Sequence, residues 1–185
     1  MEVERAPIEG LKIVRLKLRE DDRGFFVERF RSSTFAAEGL PGGFLQDNHS
    51  RSQPGVLRGL HYQHAPPQGK LVGVTRGRIW DVAVDIRPES ATFGESFGLE
   101  LNDNNGLLLW IPPGFAHGFC VLGDSPADVV YKATSEYNPA SDEGILWSDP
   151  ELAIDWPITS PSLSERDRSL QSFQQYKGLA MERRG

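Results

Sequence analysis

Short runs in which apolar and polar residues alternate recur along this chain, and turn-forming residues separate them. The clearest run is IWDVAVDI at residues 79–86, where apolar side chains surround Asp81 and Asp85. Segments such as NDNNG at residues 102–106 supply the turns. Many short strands joined by turns rich in Gly and Pro are typical of a sandwich or closed barrel, so we expect a mainly all-β protein. Further strands are predicted at residues 11–18, 97–101, 107–111, 119–122 and 128–134.

Two segments predict short helices. Residues 32–38 (SSTFAAE) predict a helix that is capped by Ser32 or Ser33. Residues 162–177 predict a second helix, in which the Ser164 side chain caps Asp167 in an S-x-x-D arrangement. The sequence contains no internal repeat and no linker, so we expect a single domain over residues 1–185.

The composition excludes several classes of protein. A net charge of −6 gives no indication of nucleic-acid binding, so an anionic ligand requires a local cluster of basic residues. The single cysteine, Cys120, excludes an intramolecular disulfide and lies in an apolar run, where we expect a small buried side chain. The first residues, MEVERAPIEG, are too acidic and polar for a signal peptide, and no apolar run approaches membrane length. We therefore expect a cytoplasmic protein with neither a nucleic-acid nor a membrane partner.

Two segments combine strand-forming residues with side chains that can do chemistry. The stretch GVLRGLHYQHAPPQGKLV at residues 55–72 places Arg58, two histidines and Lys70 in an otherwise apolar run. The stretch GLLLWIPPGFAHGFC at residues 106–120 carries His117 behind a Pro-Pro-Gly turn. The spacing G-x5-P-x-G-x2-H that ends at this histidine is the second signature of the cupin barrel.

The first cupin signature, G-x5-H-x-H followed by an acidic residue, is only partly present. Gly55 and His61 fit it, but Gln63 occupies the second histidine position and the acidic position falls near Gln68. A cupin metal needs three or four such ligands, so we expect a cupin-type barrel that uses no metal and no other cofactor. Its polar residues are then free for acid–base chemistry.

Several cationic side chains are expected on the core side of the barrel. Arg58, Lys70 and His117 lie in or beside predicted strands, where an unpaired charge is expensive to bury. In an acidic protein this arrangement makes sense if the cavity receives an anion. Regular strand geometry puts Arg58 and His61 on opposite faces, unless a bulge at Gly59 brings them together.

Each candidate residue also has an ordinary structural interpretation. A lone histidine such as His61 is more often structural than catalytic. Lys70 would otherwise be an edge-strand lysine that prevents aggregation. Tyr131 would be a half-buried strand aromatic, and Asp167 a solvated acid at the start of a helix. The spacing of these residues does not decide between the two interpretations.

A series of longer motifs extends over nearly the whole chain. They are DRGFF at residues 22–26, QDNHS at 46–50, the 55–72 block, GRIWDVAVDIR at 77–87, WIPPGFAHGF at 110–119, YK at 131–132, GILW at 144–147 and LSERD at 163–167. In this order they resemble the dTDP-4-dehydrorhamnose 3,5-epimerase family, the sugar-nucleotide epimerases that share a metal-free cupin fold. The resemblance implies a double-stranded β-helix, or jelly-roll barrel, with extra N-terminal strands and short C-terminal helices.

The resemblance also implies a reaction. The substrate is a dTDP-linked 4-keto-6-deoxyhexose, and the protons at C3 and C5 flank the C4 ketone, so removal of either gives an enolate. In the family the histidine matching His61 is the base and the aspartate matching Asp167 is its partner. The lysine matching Lys70 stabilises the oxyanion, and the tyrosine matching Tyr131 is the acid. The expected product is dTDP-4-dehydro-β-L-rhamnose.

The same resemblance assigns residues that bind the substrate. Arg58 and His117 are expected to help hold the keto-sugar and the diphosphate. In the family the N-terminal segments often reach across a dimer, so we expect a homodimer in which these segments serve the neighbouring site. Nucleotide binding maps onto Arg23, Phe26, Glu28, Gln46 and Asn48, whereas Asp142 and Arg166 match positions near the substrate.

Three other functions compete with this interpretation. A single-site epimerase that acts at C3 or C5 only retains most of the same residues, so the sequence separates it poorly. A metal-dependent cupin oxygenase or isomerase is disfavoured by Gln63 and Gln68 at ligand positions. A sugar-nucleotide binding module without activity would tolerate the loss of His61, Tyr131 or Asp167, yet all of these are present.

Overall fold

The structure, a computed structural model, describes residues 1–182. Within this range most of the regular structure is antiparallel β-strand, as the alternating pattern predicts. No helix in the described range is both long enough and apolar enough to cross a membrane. The strands are β1 (Glu2–Arg5), β2 (Lys12–Arg15), β3 (Arg19–Asp21), β4 (Gly24–Phe26), β5 (Gln46–Ser52), β6 (Leu57–Gln63), β7 (Lys70–Arg76), β8 (Arg78–Asp85), β9 (Ser96–Asn102), β10 (Leu107–Ile111), β11 (Phe115–Val121), β12 (Ala127–Ala133) and β13 (Asp142–Gly144). The helices are α1 (Ser32–Ala37), α2 (Glu165–Arg168) and α3 (Phe173–Glu182).

Two antiparallel sheets pack face to face and form the body of the fold. The six-stranded sheet has the order β1-β2-β10-β7-β12-β5, and the five-stranded sheet has the order β13-β6-β11-β8-β9. Neighbouring strands in both sheets are mostly distant in the sequence, because the chain crosses repeatedly from one sheet to the other, as in a jelly roll. Strands β3 and β4 form a separate hairpin. The prediction of a mainly β jelly roll with extra N-terminal strands and short C-terminal helices is confirmed.

Buried apolar residues form three layers. The central layer lies between the sheets and includes Val72 and Leu109 from the six-stranded sheet and Ile79 and Phe119 from the five-stranded sheet. A second layer packs the C-terminal segment, including α3, against the outer face of the five-stranded sheet. A third layer packs α1, through Phe35, against the outer face of the six-stranded sheet. Side chains that point into the central layer are therefore shielded from water by both sheets.

Most of the predicted strands are confirmed, with shifts at their ends. The strand predicted at residues 119–122 begins earlier, at Phe115, because β11 is buried on both faces and therefore does not alternate. Cys120 on this strand is fully buried, as expected. The pattern of apolar residues does not indicate β5, because this edge strand, QDNHSRS, is polar on both faces.

The first helix prediction needs one correction. Helix α1 begins at Ser32, and the residue at its N-cap position is Arg31, whose side chain makes no capping hydrogen bond. The prediction that Ser32 or Ser33 caps this helix is therefore wrong. The hydroxyl of Ser32 instead donates to the carbonyl of Gly42 and so ties the helix to the following loop.

The C-terminal helix prediction is correct in its start and wrong in its length. The backbone N–H of Asp167 donates to the Ser164 hydroxyl oxygen at 3.0 Å, so the predicted cap is present. The segment then divides into α2 and α3, because Gln171 leaves the helical path and pairs with Ile145 in a parallel bridge. Its carbonyl accepts the Leu146 N–H at 2.9 Å. The short α2 is consequently held against the five-stranded sheet.

A bulge in β6 decides which side chains face the central layer. In the pairing with β11, His61 lies opposite His117 and Arg58 lies opposite Phe119, so β6 has one extra residue between these pairs. Gly59 lies in the bulge with φ +122°, and a Cβ there would lie 2.6 Å from the Cα of Gly118. The bulge puts Arg58 and His61 on the same face, the second of the two arrangements considered from the sequence.

We expect Gly59→Ala to lower the free energy of unfolding by about 2–5 kcal/mol, because the new methyl group would clash with β11 and the residue would keep a left-handed φ. Chemical denaturation measures the change. The control is Gly178→Ala in α3, where no described atom lies within 4 Å of an added Cβ. This control should raise the stability by about 0.5–1 kcal/mol. A Gly59→Ala protein as stable as the wild type would refute the packing argument.

Candidate active site

The inner faces of the two sheets bring most of the predicted site residues together. The five-stranded sheet contributes His61 from β6 and His117 from β11, whose Cα atoms are direct partners across the ladder. The six-stranded sheet contributes Lys70 from β7 and Tyr131 from β12. The charge of Asp142 in the five-stranded sheet affects the pKa of both Lys70 and Tyr131, in line with their position on the inner face of the opposite sheet.

A buried carboxylate holds His61. Its Nε2 lies 2.6 Å from Oδ1 of Asp167, and Asp167 is 3% exposed. Burial favours a raised pKa for this carboxyl, but contacts with His61, the Ser164 side chain and the Gly59 backbone outweigh burial and lower the pKa below its ordinary value. Asp167 is therefore an ionised partner of His61 and not a solvated acid at the start of a helix.

Lys70 is a cation that burial destabilises. Burial lowers the pKa of its ammonium to about 8, although the negative charges of Asp142 and Asp81 favour the charged form. Strand β7 lies between β10 and β12, so Lys70 is not an edge-strand lysine. A partly desolvated ammonium of this kind is suited to stabilise negative charge that develops on a bound molecule.

Tyr131 lies close to Lys70 on the neighbouring strand. The Nζ atom of Lys70 is 6.0 Å from the centroid of the tyrosine ring. Burial, followed by the negative charge of Asp142, raises the pKa of the phenol. Its hydroxyl therefore stays protonated at neutral pH and can donate a proton or a hydrogen bond.

A second histidine–carboxylate pair lies beside the first. His117 Nε2 is 2.8 Å from Oδ1 of Asp81, and Asp81 has no exposed surface. The sequence analysis did not select Asp81 as a functional residue. The sequence could have indicated Asp81, because an acid at an inward position between Ile79 and Ala83 needs a polar partner in the core.

Other substrate-binding candidates surround this interior. The Arg58 Nε donates to the Ser52 hydroxyl at 2.9 Å, which ties β6 to the end of β5. On β5, the Gln46 Nε2 donates to Asn48 Oδ1 at 3.0 Å, and Asn48 is the direct strand partner of Tyr131. These contacts extend the polar lining from the β6 bulge along the edge strand of the opposite sheet.

Asp142 and Arg166 form an ion pair at the C-terminal side of the site. The Nη1 atom of Arg166 lies 2.7 Å from Oδ2 of Asp142, and its Nη2 donates to the Asp142 carbonyl at 3.3 Å. Asp142 belongs to β13, the strand next to β6, and Arg166 belongs to the same short helix as Asp167. The ion pair thus fastens α2 to the five-stranded sheet.

Three predicted nucleotide-binding residues are not brought to this interior within one chain. Arg23 pairs with Asp21 on the β3–β4 hairpin. Phe26 is 67% exposed, and Glu28 pairs with Arg31. Phe26 and Glu28 instead line a separate cavity of about 330 Å³ together with Lys17, Arg19 and Arg31.

The lining can hold an anionic, carbonyl-containing ligand. His61 and Tyr131 come from opposite sheets, so a proton can be removed from one face of a bound molecule and returned to the other. Lys70 adds a positive charge near both groups. Among the described residues, no group of three or more His, Cys, Asp or Glu side chains is arranged to hold a metal ion.

We expect Lys70→Met to stabilise the folded protein at pH 7 by about 1–3 kcal/mol while it reduces any activity that depends on the ammonium, because the variant no longer buries a charge. In the wild type the pKa of Lys70 is lower in the folded chain, about 8, than in the unfolded chain. The unfolded chain therefore binds more protons above pH 8, so the stability contribution of this residue rises with pH through the window from about 8 to 10.5.

Urea denaturation between pH 7 and pH 10 tests both statements. The stability advantage of Lys70→Met over the wild type should shrink as the pH rises. The control is Lys177→Met, which removes an ion pair with Glu151 at the molecular surface and should change the stability by less than about 1 kcal/mol at every pH. If Lys70→Met destabilised the protein at pH 7, burial of the Lys70 ammonium would not be the unfavourable contribution described above.

Comparisons with known proteins agree with this geometry. The model of the dTDP-4-dehydrorhamnose 3,5-epimerase family matches residues 5–175. The chain is 51% identical over 173 residues to the dTDP-4-dehydrorhamnose 3,5-epimerase of Escherichia coli K12, which covers 92% of this chain and 93% of the relative. It is 46% identical over 182 residues to the Neisseria gonorrhoeae protein of the same name, covering 98% of this chain but only 55% of that longer relative.

A solved structure shows the same fold. The crystal structure of dTDP-6-deoxy-D-glucose-3,5-epimerase from Legionella pneumophila in complex with dTDP-4-keto-L-rhamnose superposes with a TM-score of 0.90. It shares 47% sequence identity with this chain, and the match covers 94% of this chain and 93% of that one. The family match over most of the sequence and the close relatives together show that this chain belongs to the dTDP-4-dehydrorhamnose 3,5-epimerase family.

Proposed function

We propose that this protein is a metal-independent epimerase that converts dTDP-4-dehydro-6-deoxy-D-glucose to dTDP-4-dehydro-β-L-rhamnose, a step in dTDP-L-rhamnose biosynthesis. The observation that carries the proposal is the His61–Asp167 pair on one inner face, opposite Lys70 and Tyr131 on the other. The E. coli relative has the matching name, and the L. pneumophila relative was crystallised with dTDP-4-keto-L-rhamnose. These findings favour a double epimerase over a binding module without activity.

His61 is the base in this proposal. Its Nε2 is engaged by Asp167, so Nδ1 is the nitrogen that accepts the proton from C3 or C5. The carboxylate fixes the orientation of the imidazole ring and stabilises the imidazolium that forms. Because the lowered pKa of Asp167 keeps it ionised at neutral pH, this support is present in the working range of the enzyme.

Lys70 and Tyr131 complete the proton transfer. Removal of the C3 or C5 proton moves negative charge onto the oxygen of the C4 ketone, and the ammonium of Lys70 stabilises this enolate. Tyr131 then donates a proton to the same carbon from the opposite face, which inverts the configuration. Its raised pKa keeps the phenol protonated until that step. The two carbons react in turn with the same groups, because both are adjacent to one ketone. Between the two inversions the imidazolium of His61 releases its proton to solvent and the phenolate of Tyr131 takes one up.

The remaining candidates bind the substrate. We propose that Arg58 and His117 contact the sugar and the diphosphate, and that Gln46 and Asn48 contact the nucleotide. Arg166 and Asp142 border the sugar. The exposed residues Arg23 and Phe26 of the hairpin and Glu28 just after it complete the nucleotide site of a second copy in a homodimer, a role that suits their position away from the inner faces of the sheets.

The first experiment is NMR of dTDP-4-keto-6-deoxyglucose with the protein in D2O, without added metal. Deuterium at both C3 and C5, followed by reduction to dTDP-L-rhamnose with a rhamnose-forming reductase, would support the double epimerase. Deuterium at one carbon only would make the protein a single-site epimerase for another deoxysugar. No incorporation at either carbon would refute epimerase activity.

We expect His61→Ala to reduce deuterium incorporation at both carbons by at least about 10²-fold, the contribution of a general base, while the binding of dTDP stays largely intact. Isothermal titration with dTDP and NMR exchange measure the two effects separately. The matched control is His49→Ala, which removes an exposed histidine of β5. Exchange by His61→Ala at the wild-type rate would show that another group is the base.

We expect Tyr131→Phe to impair epimerisation more than deuterium exchange, because His61 can still remove a proton and return deuterium on the same face. The ratio of product formed to deuterium incorporated measures the difference. Tyr176→Phe is the control, since this phenol donates to the Ile86 carbonyl in the C-terminal layer. An equal loss of both processes in Tyr131→Phe would indicate that the tyrosine only positions the substrate.

A further inference from the structure

The side chain of Gln63, at the second histidine position of the cupin signature, is fully engaged in hydrogen bonds. It is 5% exposed. Its Nε2 donates to the carbonyls of Pro66 and Glu136 at 2.9 and 3.0 Å and lies 3.2 Å from the Ser135 hydroxyl oxygen. Its Oε1 accepts the backbone N–H of Asn138 at 2.8 Å. One buried amide therefore joins the turn after β6 to the chain that follows β12.

Gln68, near the acidic position of the same signature, holds the same part of the chain. Its Nε2 donates to the Ser135 carbonyl at 2.9 Å, and its backbone N–H donates to the Gln63 carbonyl at 3.3 Å. The two glutamines that differ from the metal-binding signature thus both contact residues 135–141, which we call the bridging segment.

The bridging segment connects two parts of the proposed site. It follows β12, the strand of Tyr131, and leads into β13, which begins at Asp142. In its middle, the backbone N–H of Tyr137 donates to Oε1 of Gln46 at 2.7 Å. A displacement of this segment therefore moves a nucleotide-binding candidate on one side and the Asp142–Arg166 ion pair on the other.

Hydrogen bonds hold this segment more than apolar packing does. Tyr137, its one large side chain, is 55% exposed. The Asn138 side-chain amide donates to the Ala65 carbonyl at 2.7 Å, and the Ser141 hydroxyl donates to the same carbonyl at 2.5 Å. Loss of the Gln63 amide removes the donor to the Pro66 and Glu136 carbonyls and the acceptor of the Asn138 N–H, so fewer bonds hold the segment and its backbone can move.

We propose that Gln63 and Gln68 are positioning residues for the epimerisation, which fix the bridging segment and through it Gln46 and Asp142. The proposal rests on the proposed function, since it concerns alignment of the sugar in that site. Small misplacements of a bound substrate are costly in rate, with about 1 Å corresponding to about 10²-fold. The two glutamines at ligand positions of the cupin signature thus have a role in the site through the bridging segment.

The test is Gln63→Met, which preserves the size of the side chain and removes its amide. Amide hydrogen exchange of the free protein, followed by mass spectrometry, should show exchange about tenfold faster or more in residues 135–141. In the epimerase assay we expect kcat to fall about 10- to 100-fold. KM should rise by less than about threefold, because only the Gln46 contact to the nucleotide is weakened while the other proposed contacts remain.

Asn105→Leu is the matched control. Asn105 also ties a turn through its amide, with Nδ2 donating to the Glu100 carbonyl at 3.0 Å and Oδ1 accepting the Leu107 N–H at 3.1 Å. This variant should lose stability but keep wild-type kcat and wild-type exchange in residues 135–141. Gln68→Met, which loses one side-chain bond, should show a smaller effect in the same direction and replaces Gln63→Met if that variant does not fold.

Two results would overturn the proposal. Faster exchange in the bridging segment with unchanged kcat would show that the segment does not position groups for the reaction. Unchanged exchange would show that Gln63 does not anchor the segment. A wild-type protein that incorporates no deuterium into the sugar would instead refute the proposed function. The amide-exchange comparison needs no substrate, so it decides the anchoring role in either case.

Discussion

The close approach of β6 and β11 at Gly59 and Gly118 is the constraint on which the site depends. A regular strand would place His61 on the face opposite Arg58. The extra residue in the bulge lets Leu57 and Leu60 both pack in the outer layer, while Arg58 and His61 face the interior. Two strands can approach this closely because neither has a side chain at the contact, and His61 then faces the six-stranded sheet.

The polar groups of the central layer differ in how well a partner of opposite charge compensates them. His61 and His117 each have a carboxylate within hydrogen-bonding distance. Asp81 and Asp142 attract the Lys70 ammonium only by long-range electrostatics, because these acids pair directly with His117 and Arg166. The ammonium is therefore the least compensated charge of the interior. Such a group weakens the free protein but is ready to interact with a ligand that brings negative charge.

The sequence was informative where a pattern reflects one local rule. The apolar patterns predicted six of the thirteen strands in the described range, β2 and β8 to β12. The Ser164 cap predicted the start of α2, and the longer motifs predicted the family. Edge strand β5 escaped because it is polar on both faces, and the division between α2 and α3 depends on a bridge to Ile145, which no local pattern encodes.

The candidate site shows the same limit of local reasoning. Spacing could not distinguish a catalytic Asp167 from a solvated one, because its partner lies 106 residues away in the sequence. Asp81 was overlooked for a related reason, since its importance follows from the strand register that places His117 within reach. The resemblance to a family suggested a role for Asp167, whereas the geometry shows its contact with His61.

The distance in sequence between His61 and Asp167 also orders events during synthesis of the protein. The strands that carry His61, Lys70, His117 and Tyr131 all emerge from the ribosome before α2, which brings Asp167 to the imidazole. In a nascent chain with both sheets already paired, the His61 imidazole still lacks its carboxylate partner. The His61–Asp167 pair is thus completed only after both sheets have been translated, so a chain that stops before α2 can pair its sheets but lacks this carboxylate.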